Sequence, residues 1–229
     1  MNDEAGAKSV QFHARTAGFL YLSAMAAYVA PLVVLGGLDV PGDFARTAQN
    51  IAASETQVRL ALTGLLVGFV AILGLAWALY VVLRRVDPRL ALLALLCRAV
   101  EAALMAVSTL IWFAALGNYL APGELAVRQL LDRLLTAGIN TAFHFAMICS
   151  SVGSILFFWL LYRSRGIPRP LAGFDLLASA LALAFAFALL LAPDSVARFG
   201  LAGWGPIFLA EIATGLWLLA VGVRPGERA

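Results

Sequence analysis

Arg98, Glu101 and Glu211 are the residues of this 229-residue chain whose chemistry demands an explanation. Arg98 and Glu101 sit inside LLCRAVEAALM (95 to 105), and Glu211 inside LAEIATGLWLLAVGV (209 to 223), runs that otherwise belong in hydrocarbon. An ionisable side chain near the centre of a bilayer costs about 2.5 to 3.5 kcal/mol, so each needs a partner or a purpose. Arg98 and Glu101 are three residues apart, on one helical face that continues through Met105, Ser108 and Trp112. At the helical rise, Arg98 lies roughly 12 Å, Glu101 roughly 16 Å and Glu211 roughly 18 Å from the same boundary of the membrane.

Two interpretations follow from that shared depth. In the first, Arg98 and Glu101 form an intrahelical pair and Glu211 takes the remaining guanidinium donors from across a bundle, because arginine offers a planar fork able to hold two carboxylates. Arg98 could also extend toward the nearer interface. In the second, charge decides: two carboxylates less one guanidinium leave a surplus negative charge in a low-dielectric site. Such a site neutralises itself by taking a proton on one glutamate or by binding a cation or protonated ligand. Polar groups of other runs fall close enough to join. Asn140, His144, Met147, Ser151 and Ser154 form a stripe at three- and four-residue steps. Ser151 and Tyr28 lie at the depth of the glutamates, and His144 nearer the outer surface, roughly 27 Å from the inner boundary. Arg98, Glu101, Glu211, Ser151, Tyr28 and His144 are therefore the expected ligand-binding set.

The elements that must carry these residues are membrane spans. The chain is 62% hydrophobic and 13% charged, too apolar for a soluble domain of this size. A hydrocarbon core about 30 Å thick takes roughly 20 apolar residues per helix. Six runs qualify: Ala17 to Leu38, Leu60 to Leu83, Leu90 to Leu116, Ile139 to Tyr162, Leu171 to Ala192, and Trp204 to Val223. The expected fold is all-α, a polytopic six-helix bundle forming a single membrane domain over residues 1 to 229. The first run continues well past signal-peptide length, so it is read as a span.

The formal charge of +3 does not point to nucleic acid, because the cations sit at span ends. Lys8, Arg15, Arg84, Arg85, Arg89, Arg163, Arg165, Arg169, Arg224 and Arg228 belong to one set of alternate segments, and Arg46, Arg59, Arg128, Arg133 and Arg198 to the other. The first set is assigned to the cytoplasm by the positive-inside rule, which puts both termini inside. Fifteen arginines against one lysine fit a GC-rich bacterial coding bias, and hence a bacterial inner membrane.

Residues 43 to 54 and 124 to 136 have the spacing of two short amphipathic helices on the outer interface. Val127, Leu130, Leu131, Leu134 and Leu135 form one side of the second, with Glu124, Arg128 and Asp132 on another. The two inner turns, RRVDPRLA and RSRGIPRPLA, share arginines and a Pro-Arg pair, as any tight inner turn wants Arg for topology and Pro to start a helix. Asp175 is expected to pair with the inner-turn arginines, Glu55 with Arg59 as a helix anchor, and Trp77, Trp159 and Trp204 to belong to interfacial aromatic belts. Cys97 and Cys149 read as small apolar packers.

Taken in order, RTAGFLYL (15 to 22), PGD (41 to 43), ASETQVR (53 to 59), ALYVVLRRV (78 to 86), RAVEA (98 to 102), LLYRSRGIPR (160 to 169) and LAEIATGLWLLAVGV (209 to 223) resemble the bacterial membrane proteins of domain-of-unknown-function family 4386. The likeness runs from about Arg15 to Val223. It implies a six-span bundle and carries over no activity, ligand or catalytic residue.

Several functions are disfavoured. Lys8 is the only lysine and lies outside the spans, which excludes a retinal Schiff base. Phosphate-loop, haem-attachment and paired zinc-ligand motifs are missing, so no cofactor is expected. A metal held by His144, Glu101 and Glu211 would face a depth mismatch and the Arg98 cation. Ser151 or Cys149 as a nucleophile has no base beside it. The function expected is binding or transport of a small or amphiphilic molecule in a central polar cavity built from spans three, four and six, coupled to proton exchange. The alternatives are an intramembrane enzyme acting on a lipid or lipophilic substrate, and a structural or regulatory subunit. The partners are the lipid bilayer and that ligand. A homodimer is open, and nothing in the sequence requires one.

Overall fold

The computed structural model describes residues 2–224, so Arg228, counted above with the inner cations, lies outside the described residues. The elements are α1 (Asn2–Leu38), α2 (Phe44–Ala53), α3 (Glu55–Leu83), α4 (Pro88–Leu120), α5 (Leu125–Ser164), α6 (Arg169–Leu191), the short α7 (Pro193–Val196), a 3₁₀ segment (Ala197–Trp204) and α8 (Gly205–Ala220). Among the described residues there is no strand. Helices able to cross a membrane are six, at Lys8–Leu38, Glu55–Leu83, Pro88–Leu120, Leu125–Ser164, Arg169–Leu191 and Ala202–Ala220. The chain is a multi-pass helical membrane protein.

Lipid tails are as apolar as leucine, so burial of oily surface cannot drive these helices together, and close packing of small residues does so instead. Each span packs on the next in sequence, apart from the last pair's bridging segment, and α8 returns to pack against α1, closing a ring of six. The closure is made by glycines. A Cβ on Gly18 would stand 2.3 Å from Leu219 N and 2.6 Å from Gly215 O. One on Gly215 would stand 3.0 Å from the Cβ of Tyr21. The backbones of α1 and α8 touch only because neither position carries a side chain. Around the rest of the ring, Ala14, Ala17, Ala76, Ala91, Ala94, Ala146 and Ala172 are fully buried, while leucines and phenylalanines such as Leu110, Leu191, Phe19 and Leu209 point outward.

Local signals set the helix ends. Asp87 caps α4 by accepting from the N–H groups of Arg89 and Leu90, with Pro88 at the first helical position. The α5 helix ends on Arg165 in the left-handed conformation (φ 53°), and Arg169–Pro170 opens α6. At this end of the bundle Arg84 lies over Tyr80, Arg169 over Tyr162 and Arg224 over Trp217, an aromatic and cationic girdle of interfacial kind. On the opposite side α2 forms where amphipathic spacing places it, capped by Asp43.

Three expectations need correcting. The stretch 124–136 is helical but is not a separate helix: it runs without a break into span four, giving a 40-residue α5. Gly138 alone cannot break a helix, since a single glycine costs only about 1 kcal/mol. At the helical rise α5 is about 60 Å long, so its first turns project beyond the hydrocarbon. That projection is tied to the end of α4: the Arg128 guanidinium donates to the carbonyls of Asn118 and Tyr119, the Tyr119 hydroxyl donates to Asp132, and Asn118 donates to Arg128 O. Second, Trp204 is no belt residue. It is 3% exposed and packs edge-on against Phe143 and Phe185, because the 3₁₀ segment turns it inward, whereas Trp77 and Trp159 remain half-exposed. Third, Asp175 makes no ion pair with the arginines of its turn, for reasons given below. Glu55 and Arg59 pair as their spacing suggests, at 2.7 Å.

The ring closure can be tested at one atom. Gly18→Ala forces the α1 and α8 backbones apart and should lower stability by about 1 to 3 kcal/mol, the cost of overpacking a tight contact. Gly36→Ala, where a Cβ would meet nothing within 4 Å, should not lower the thermal unfolding midpoint in detergent, and the better helix propensity of alanine should if anything raise it.

Candidate functional site

Inside the ring the apolar lining is interrupted by buried polar side chains, and Arg98 is the centre of one such group. Arg98 is 4% exposed and Glu101 5%. Arg98 Nε stands 3.0 Å from Glu101 Oε2 on its own helix, and Nη1 stands 3.7 Å from Glu211 Oε1 on α8. Helices α4 and α8 do not pack along one another, so the long side chains of Arg98 and Glu211 bridge the interior of the ring. From α5, Ser150 and Ser154 accept hydrogen bonds from Nη1 at 2.7 Å and 3.2 Å. The Ser150 hydroxyl also interacts with Glu101.

The backbone is shaped for this arginine. A Cβ on Gly153 would lie 3.0 Å from Arg98 Cγ and 3.1 Å from Cδ. Ser150, Gly153 and Ser154 follow one another at three- and four-residue steps, so α5 presents a hydroxyl, a gap and a hydroxyl to the stem and head of one side chain. Removing the Cβ admits the methylenes, and the two hydroxyls replace water around the charge.

The hydrogen-bonding capacity of the site is not filled. Glu101 Oε2 is buried and close to Arg98 but lacks the angle of a hydrogen bond, and the buried Tyr28 hydroxyl has no partner. The Tyr28 ring packs against Gly68 of α3, 3.1 Å from where a Cβ would stand, so α1 and α3 approach closely there. Its hydroxyl stands within electrostatic range of Glu101 and Arg98. The two carboxylates are not equivalent: the Glu211 side chain keeps 17% of its surface accessible, against 6% for Glu101.

The set expected from the sequence divides accordingly. Arg98, Glu101, Glu211 and Tyr28 come together. Ser151 lies at the same level but turns its hydroxyl to Met147 O of its own helix, at 2.7 Å. His144 stands half-buried beside Phe143, at a level where no carboxylate meets it. Among the described residues, no three His, Cys, Asp or Glu side chains are grouped to hold a metal ion.

Four side chains outside the expected set take part. Ser150 and Ser154 contact Arg98 directly, and only Ser154 belonged to the stripe read from spacing. Tyr21, 4% exposed, lies within electrostatic range of Glu211, Arg98, Asp175 and Glu101. Asp175 is fully buried: Oδ2 accepts from the Thr214 hydroxyl at 2.6 Å and Oδ1 has no partner. It shares a helix face with Ala172, Ser179 and Ala182, which turns it into the ring and away from the arginines. Glu211 and Thr214 are three apart on α8, so the Asp175 pair adjoins the Arg98 group, and among the described residues these two groups hold three carboxylates against one guanidinium.

A ring of six spans around a buried arginine shared by two glutamates defines a polytopic helical membrane protein with a charged centre. The sequence model of the family described as Domain of unknown function (DUF4386) matches residues 16–222, and the chain belongs to that family. No curated protein and no solved structure matches it.

Removing the cation while keeping the acids should be severe. Arg98→Met leaves buried carboxylates uncompensated and should destabilise the protein by about 3 to 5 kcal/mol, measured by denaturant unfolding in detergent. Adding Glu101→Gln and Glu211→Gln to that variant should recover much of the loss, because the stranded charges are then gone.

Proposed function

We propose that the Arg98 group is a binding site for a protonated or cationic small molecule, amphiphilic enough to enter from the bilayer, which the protein carries in exchange for a proton. The observation that carries this reading is that one guanidinium is shared by two glutamates from different helices, with Glu211 the more accessible. Arg98 can neutralise one carboxylate, and the other needs a proton or a ligand cation in a site this dry. The unspent Tyr28 hydroxyl and Glu101 Oε2 supply further contacts for a polar head, and the ring of spans supplies apolar walls. With this go the remaining expectations: a single membrane domain in a bacterial inner membrane, both termini and the arginine-rich turns on the cytoplasmic side, and a homodimer as the assembly open to it.

A second reading is favoured by one observation. The Arg98 group is closely packed, as expected of a structural or regulatory subunit in which these charges only cross-link helices. Ligand binding separates the two.

Tetraphenylphosphonium, an amphiphilic organic cation, serves as a probe for protein in lipid nanodiscs. Proton and cation compete for the same surplus charge, so binding should strengthen as pH rises. Glu211→Gln should weaken it about tenfold or more, a loss on the order of 1.4 kcal/mol, and abolish its pH dependence. Binding and pH dependence that survive both Glu211→Gln and Glu101→Gln would leave the structural reading standing alone.

A further inference from the structure

At the end of the bundle where α1 and α4 begin, the ring opens into a groove of about 560 Å³, within the range of small-molecule sites. Its rim carries Lys8 from α1, Arg85 from the α3–α4 turn and Arg224 from the segment after α8. No carboxylate lines it among the described residues. Its lining is otherwise mostly apolar, with Val82 and Leu83, both buried, and Val223 among the side chains.

We propose that this groove binds the phosphate headgroup of an anionic phospholipid, with the start of an acyl chain on the apolar lining. Three cations from three separate segments repel one another unless an anion lies between them. Arg224 lies over Trp217 in the aromatic girdle, and Arg85 directly follows Arg84, which lies over Tyr80; aromatic girdles sit at the level of lipid headgroups. A soluble anion would satisfy the rim but not the apolar lining, whereas a phospholipid presents phosphate and hydrocarbon in that order.

The walls are fixed rather than loose. The Gln11 carboxamide donates to Val221 O at 2.8 Å and accepts from Val223 N at 3.1 Å, which holds the end of α8 against α1. Gly222 makes this contact at φ 79°, and a Cβ there would stand 2.5 Å from Gln11 Cδ. Arg224 N donates to Gly166 O at 2.8 Å, tying the same segment to the α5–α6 turn. The Arg224 guanidinium is stacked 5.2 Å over Trp217. Arg85 lies along the first turns of α1, its Nη2 3.7 Å from the Cβ position of Gly6. Arg224 is thus held in place, by its backbone and its guanidinium, before any ligand arrives.

The test is native mass spectrometry of the purified full chain titrated with dioleoyl-phosphatidylglycerol, dioleoyl-phosphatidylcholine or inorganic phosphate. Phosphatidylglycerol should bind more tightly than phosphatidylcholine. Lys8→Ala, Arg85→Ala and Arg224→Ala should each weaken it about fivefold, the worth of one cation near a headgroup. Arg89→Ala, an exposed cation at the same end but outside the groove, should have no effect. If Arg85→Ala with Arg224→Ala does not fold, the paired Lys substitutions, which keep the charge, should fold and keep the preference for phosphatidylglycerol. Equal binding of the two lipids, an Arg89→Ala loss as large as that of Arg85→Ala, loss of the preference in the folded Lys pair, or displacement of lipid by inorganic phosphate would each overturn the proposal.

Discussion

A permanently charged guanidinium in the middle of a bilayer must be surrounded by polar groups supplied by the protein, and in this chain that requirement organises the interior. Arginine stays charged in proteins, so Arg98 cannot escape the cost of burial by losing its proton. It needs an anion close by, hydroxyls in place of water, and room for its stem. Glu101 meets the first need from the same helix, Ser150 and Ser154 the second from α5, and Gly153 the third. Glu211 reaches it from α8, across the ring. Each partner comes from a helix that must hold its register for the contact to exist, so the small-residue seams that fix the spans also fix the site.

The same constraint explains the imbalance of charge. A structural cross-link needs one carboxylate per guanidinium, and a further charge only adds desolvation. Among the described residues the interior holds Glu101 and Glu211 around one cation, with Asp175 adjoining Glu211. Asp175 leans on Thr214 and has one oxygen without a partner. Ionisable groups inside a membrane are costly to keep, so buried carboxylates in excess of the cation, contributed by separate helices, mark this interior as more than apolar packing. The groove at the end of the bundle is of opposite sign, lined by Lys8, Arg85 and Arg224.

Much of the fold was legible in the sequence because the relevant signals are local. Twenty-residue apolar runs, Asp-Pro and Pro-Arg helix starts, and arginine-rich turns each state their structure within a few residues. The central triad was legible for a related reason: a charge inside an apolar run is conspicuous, and the helical rise places Glu211 beside Arg98 and Glu101 in depth. What could not be read is direction around the helix. Ser150 and Ser151 are neighbours in sequence at one depth, yet only Ser150 faces Arg98, a difference of about 100° that a depth argument does not see. Asp175 was assigned to the arginines nearest in sequence because nothing local reveals that its face carries Ala172, Ser179 and Ala182 inward. Tyr21 resembles any aromatic of a first span until α8 closes on α1. The continuity of α5 was missed because an amphipathic pattern followed by an apolar one marks a change of solvent, which a helix can cross without a break.

The central claim is that Arg98 is held by carboxylates from two helices, and the link to Glu211 is its least local part. A double-mutant cycle between Arg98→Met and Glu211→Gln, read by unfolding in detergent, measures that link directly. A coupling of about 1 kcal/mol or more is predicted for charges sharing a buried network. Additivity within about 0.3 kcal/mol, the behaviour of independent sites, would contradict it.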